Sequence, residues 1–133
     1  MSVEHHPTCE VAIVGMGPTG VMLAHLLGAL GVDTVLMDRE PDLLNLPRAV
    51  HFDGEVMRIF QSIGLRREVE GISRAGLKGM HFVNAEGETL LIRGGTTAMG
   101  PHGCASNYYF HQPELERVLR EGVQRFENVR ICL

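Results

Sequence analysis

Gly15-Met16-Gly17-Pro18-Thr19-Gly20 joins the apolar run Val11-Ala12-Ile13-Val14 to a long apolar segment from Val21 to Leu30. Glycines at this spacing, between a strand and a helix, let a backbone grip phosphate. Each has its own task. Gly15 permits the sharp turn out of the strand, Gly17 leaves no side chain where phosphates approach, and Gly20 lets helix and strand pack closely. Pro18 and Thr19 stand at the helix start and complete the candidate phosphate-binding set. Free N–H groups there face the anion, and the helix dipole adds roughly 0.3–1 kcal/mol for a negative charge.

A glycine string alone is common, so its context decides. Asp38 closes the next apolar run, Val35-Leu36-Met37. It lies about twenty residues past the first glycines, where a carboxylate accepts hydrogen bonds from an adenosine ribose diol. Arg39 follows and is the candidate for a 2′-phosphate, hence NADP. Asp38 would repel that phosphate, and an Arg just after a strand is usually solvated. Residues 9–40 therefore read as the βαβ start of a dinucleotide-binding unit; the alternative is a phosphate-free unit of the same shape.

The surrounding pattern is α/β. Cys9 to Val14 is a continuous apolar run, which suits a central parallel strand buried on both faces. Pro18 to Leu30 is a helix, apolar on most sides and so expected to pack deeply, and Gly31 stops it where a left-handed cap is wanted. Val32 to Asp38 is the second strand. Glu40 to Val50 is an irregular linker. Asp53 reads as an N-cap for a helix through Val56, Met57, Ile59, Phe60 and Ile63. Arg66 to Gly79 shows no strong pattern. Met80 to Asn84 and Thr89 to Arg93 form a hairpin turning at Glu86-Gly87. Gly94 to Ser106 reads as a loop, with four glycines and a proline. Gln112-Pro113-Glu114 opens the last helix, whose buried stripe is Leu115, Val118, Leu119, Gly122 and Phe126. Val129 to Leu133 is a final strand expected beside the second, giving the order 3-2-1. About ninety residues between the second and third strands are far more than a plain crossover needs, which suggests an inserted second layer.

Composition narrows the classes. The chain has 133 residues, 44% hydrophobic and 21% charged, with a net charge of −4. That is ordinary for one globular domain. No basic block offers a nucleic-acid or anionic-membrane surface. The longest apolar stretch is too short to span a bilayer, and Met1 to Pro7 lacks a signal peptide's apolar region. Cys9, Cys104 and Cys132 are an odd set without CxxC spacing, as for reduced cytoplasmic thiols, with Cys9 and Cys132 expected at buried strand ends. His5-His6 and the pair His102 and Cys104 are weak metal candidates; a zinc site needs ligand pairs that are absent.

Three strings resemble the flavin-dependent aromatic hydroxylases, single-component enzymes of the para-hydroxybenzoate hydroxylase type. They are Val14 to Gly20, Pro47-Arg48-Ala49-Val50 leading through Asp53-Gly54-Glu55, and His111-Gln112-Pro113-Glu114-Leu115-Glu116 with Glu121 to Arg130. Within that class the chain looks most like the 3-(3-hydroxyphenyl)propionate hydroxylases. The resemblance implies FAD rather than NAD as resident cofactor, with NAD(P)H as transient reductant and a small phenolic substrate. It implies that Gly15, Gly17 and Gly20 bracket the pyrophosphate and that Asp38 holds the adenosine ribose. Arg48 would reach the phosphate or ribityl side, where a guanidinium fork suits phosphate oxygens; the alternative is a surface ion pair. Gln112 would hydrogen-bond the ribityl chain; the alternative is a helix cap. No catalytic base is identified, although His51, His111, Tyr108 and Tyr109 are candidates for a site.

The resemblance further implies that residues 1–133 are the N-terminal part of an FAD-binding domain. About residues 78–110 would then be an inserted hairpin and loop on the substrate side. The family's later Gly-Asp string and substrate sheet are not in these residues, so the fold is expected to be incomplete, inactive alone and able to self-associate. Two other readings stay open: an NAD(P)-dependent reductase and a non-catalytic adenine-nucleotide-binding module.

Overall fold

The structure is a computed structural model and describes residues 8–43, 46–95 and 99–133. His5 and His6 lie outside the described residues, as do parts of the expected 40–50 linker and 94–106 loop. The elements are β1 (Val11–Val14), α1 (Pro18–Ala29), β2 (Thr34–Met37), β3 (His51–Asp53), α2 (Gly54–Ser62) and α3 (Arg66–Gly71). There follow β4 (Ser73–Ala75), β5 (Met80–Val83), β6 (Thr89–Arg93), β7 (Asn107–Phe110), α4 (Gln112–Val123) and β8 (Val129–Cys132). They divide into two compact units, one of Met1–Leu43 with Leu119–Leu133, the other of Leu44–Val118.

The first unit holds a parallel sheet in the order β1-β2-β8. Val11 lies opposite Thr34, and Thr34 opposite Val129. Ile13, Leu36, Val21, Ala24, Leu119, Val123 and Val129 are buried. The turn after α1 forms at Gly31, whose φ of +74° gives the left-handed cap its glycine suggested. Two expectations are corrected. β1 is not buried on both faces: it is the edge of this sheet, and Val14 is 84% exposed. Nor is α1 packed on most sides, because Val21, Ala24, His25 and Gly28 are buried while Leu23, Leu26 and Leu30 are exposed. Uniform apolarity marks a helix as buriable without saying on how many sides partners stand. Gly28 is needed for contact, since a Cβ there would come within 2.7 Å of the Phe126 ring.

The second unit holds an antiparallel sheet in the order β3-β7-β4 and the separate hairpin β5-β6. The sequence reading missed β3, α3, β4 and β7. Three-residue strands show too little alternation to register, and β7 falls between the expected 94–106 loop and the helix from Gln112, where the sequence pattern marks no element. The expected hairpin is present, with Met80 opposite Arg93. Asp53 caps α2 as expected, accepting from the Val56 N–H at 3.0 Å. Phe52 stacks on Tyr108 at 5.2 Å and meets Phe60 edge-on at 5.4 Å, which seats α2 against β3. The thiols are also revised: Cys9 is half-buried, Cys132 exposed, and Cys104 alone of the three is buried.

Candidate functional site

The three glycines of the turn differ in what surrounds them. Gly15 has φ +112°, a conformation that side chains with a Cβ rarely adopt. A Cβ on Gly20 would run into the carbonyl oxygen of Gly15 and press on Ile13 Cγ2 at 3.4 Å. Gly17 is neither twisted nor crowded: nothing lies within 4 Å of where its Cβ would be. It is the N-cap of α1 and offers no side-chain cap, and Pro18 occupies the first turn. The carbonyl of Gly17 accepts the N–H of Val21 at 3.0 Å. The N–H groups of Gly17, Thr19 and Gly20 have no partner among the described residues. No acidic residue lies in the first turn of α1 to satisfy its dipole. The result is an open patch of amides with positive partial charge, a site for an anion.

Asp38 faces this turn. Its Oδ2 accepts the Met16 N–H at 2.6 Å, and its Oδ1 accepts the Glu40 N–H at 3.0 Å. These two bonds, Glu40 first, hold the carboxyl below its ordinary value. A carboxylate has about four acceptor positions, so acceptors remain for a diol. Met16 is held from its other side too. Arg120 on α4 donates through Nε to the Met16 carbonyl at 3.2 Å and through Nη1 to the Pro41 carbonyl at 3.4 Å. Sequence reasoning missed Arg120, since nothing local links it to a residue 104 positions earlier. The Arg39 side chain is 91% exposed and pairs with Glu40 at 3.4 Å.

Arg48 and Gln112 come together in the second unit. The Oε1 of Gln112 accepts the N–H groups of Arg48 and Ala49, both at 2.8 Å. Its Nε2 donates to Glu116 Oε1 at 2.7 Å. Gln112 is thus more than a helix cap: it fastens the arginine loop. Its oxygen is fully used, which leaves one N–H for any further partner. The Arg48 guanidinium is exposed and has no partner among the described residues, so the alternative of a surface ion pair finds no support there.

The remaining candidates have structural tasks. Tyr108 is buried, its hydroxyl accepts the Ala105 N–H at 3.1 Å, and burial raises its pKa. Cys104 donates to the Gly54 carbonyl at 3.4 Å. His51 Nε2 meets Asn107 Oδ1 at 2.9 Å, and its ring lies 5.6 Å from that of Tyr109. His111 Nδ1 lies 3.8 Å from Glu114. His25, unremarked in the sequence, is fully buried in the first unit. Its Nε2 bonds the Leu119 carbonyl at 2.9 Å, and its Nδ1 has no partner among the described residues.

Residues 8–131 match the family described as "FAD binding domain". The chain belongs to that family. This FAD-binding domain is 36% identical over 134 residues to 3-(3-hydroxy-phenyl)propionate/3-hydroxycinnamic acid hydroxylase 2 of Burkholderia vietnamiensis, covering 98% of this chain and 23% of the relative. It is 40% identical over 122 residues to a probable NADH-specific resorcinol 4-hydroxylase of Rhodococcus jostii, covering 92% of this chain and 23% of that protein. The chain thus spans under a quarter of the length of these curated relatives. Its fold matches that of p-nitrophenol 4-monooxygenase PnpA of Pseudomonas putida with a TM-score of 0.78 at 22% identity, over 92% of this chain and 31% of PnpA. It also matches the flavin-dependent monooxygenase PieE, solved with FAD and substrate, with a TM-score of 0.73 at 26% identity, over 92% of this chain and 23% of PieE. The turn fits the cofactor: unpaired amides and open space at Gly17 suit a diphosphate, and the adjacent Asp38 carboxylate suits a ribose.

Proposed function

We propose that this FAD-binding domain serves a monooxygenase that hydroxylates a small phenolic compound, using NAD(P)H and dioxygen. Bound FAD would supply the redox and oxygen-transfer chemistry. The residues here bind and orient it. The amides of Gly17, Thr19 and Gly20 hold the pyrophosphate, with Gly15 and Pro18 shaping the turn. Asp38 accepts from the adenosine ribose while bracing the turn through Met16. Arg48 is a phosphate- or ribityl-side donor, and the one N–H left on Gln112 is a second. Arg39 is a further candidate beside Asp38, its exposed side chain paired with Glu40.

The observation that carries this reading is the pairing of amides that have no partner among the described residues with a carboxylate 2.6 Å from the Met16 N–H. The relatives' names supply the phenolic substrate class. Three free cysteines support a reducing cytoplasm. Exposed Leu90, Leu91 and Ile92 on β6 support self-association. No helix among the described residues is long and apolar enough to cross a membrane.

A visible absorption spectrum and a titration with FAD test the reading. Bound flavin and saturable FAD affinity are expected. Colourless protein that binds NADH would favour a reductase, and binding of ADP alone would favour an adenine-nucleotide module.

A further inference from the structure

The buried pair Gln112 and Glu116 on α4 has a consequence for the arginine loop. Both side chains are removed from water, Gln112 at 5% and Glu116 at 4% exposure. A buried carboxylate is costly unless its hydrogen bonds compensate. The partner of Glu116 here is the Gln112 carboxamide, one helical turn earlier. A carboxamide has two nearly isosteric orientations, with oxygen and nitrogen exchanged. Only one is acceptable here, because the loop presents two N–H donors. Nε2 faces Glu116 and Oε1 faces the loop. There it meets the Arg48 and Ala49 N–H groups. The flipped form would set NH2 against those two N–H groups.

We infer that Glu116 is a positioning residue: through Gln112 it sets the backbone of Arg48 and Ala49 and so presents the Arg48 guanidinium to the cofactor. The last step rests on the proposed binding of FAD. The first does not. Linked hydrogen bonds polarise one another, so the bond to Glu116 strengthens Gln112 as the acceptor for the loop. With both loop amides committed to Gln112, the guanidinium is the donor that Arg48 has left for a ligand.

Two substitutions in the full chain separate positioning from packing. In Glu116→Gln the new side chain can still accept from Gln112 Nε2. In Glu116→Met the volume is kept but the acceptor is lost. Amide hydrogen exchange at Arg48 and Ala49 is read without cofactor, and FAD affinity by titration, with thermal melting to identify unfolded variants. Glu116→Gln is expected to stay within about threefold of the parent, whereas Glu116→Met exchanges both amides roughly tenfold faster, as loss of about one hydrogen bond implies. FAD affinity of Glu116→Met falls in parallel. Parent-like exchange in Glu116→Met overturns the positioning role. Should Glu116→Met fail to fold, Gln112→Met provides the same reading of the loop amides, and unchanged exchange there overturns the role equally. Faster exchange in the variants combined with no FAD binding even by the parent would leave the positioning intact and sink the cofactor reading instead.

Discussion

The Met16 N–H donates to Asp38 Oδ2 across 2.6 Å, which ties the middle of the glycine turn to the end of β2. One carboxylate therefore braces the glycine turn and, on the proposed reading, borders the adenosine ribose. Asp38→Ala is expected to weaken FAD binding and to speed amide exchange at Met16. Unchanged values for both would remove Asp38 from the site.

The same bond has a pH signature. The Glu40 and Met16 N–H groups favour the ionised carboxyl, so its pKa lies below the ordinary 3.8. A depressed carboxyl stabilises the fold above its unfolded pKa, and that contribution is lost as pH falls through the folded value. Carbon-13 titration of Asp38 should give a midpoint under 3.8. A midpoint at or above it means that the turn is not held this way.

His25 acts in the same direction but nearer neutrality. Burial lowers its pKa from 6.5, the Leu119 bond opposes this, and Arg125 adds to the lowering. The unfolded chain thus takes up a proton near pH 6.5 that the folded chain refuses, so stability falls as pH drops below that value. Denaturant midpoints measured from pH 8 to 5 should decline for the parent. His25→Gln, which can still donate to Leu119, should flatten the decline; an equally steep decline in that variant assigns the acid sensitivity elsewhere.

Gly17→Ala and Gly20→Ala separate binding from folding. At Gly20 the added methyl meets backbone, and overpacking of this kind costs about 1–3 kcal/mol of stability. At Gly17 it meets open space. That variant should melt like the parent yet lose FAD affinity by roughly ten- to a hundredfold, because its methyl would hold the phosphates off the amides at the cost of about one hydrogen bond to a charged group. Equal FAD affinity in parent and Gly17→Ala would place the phosphates elsewhere.

Arg48→Ala should leave stability within about 0.5 kcal/mol, because the side chain has no partner among the described residues. Its FAD affinity should fall about tenfold. Arg48→Lys should recover only part, since an ammonium lacks the planar fork. Full recovery would mean that charge alone matters.

The glycine turn and the place of Asp38 beside it were legible because both depend on local order: strand, turn, helix, strand, acid. Arg48 and Gln112 were legible only through a resemblance, which said nothing of their bond to each other. Met16, Arg120 and Glu116 were not legible. Met16 acts through its backbone, which residue type does not encode. Arg120 and Glu116 lie on an amphipathic helix where charged residues are ordinary, and only the tertiary arrangement gives them partners. The antiparallel sheet escaped notice because β3 and β4 have three residues each.

The contrast between a walled glycine and an open one bears on how this turn drifts over generations. Position 20 is constrained by the architecture itself, so even descendants that abandoned flavin would keep it bare. Position 17 has no such wall, so on the proposed reading the guest is what keeps it bare. If that reading holds, a homologue with serine or alanine there and glycine at 20 is expected to fold well and to hold its coenzyme less tightly.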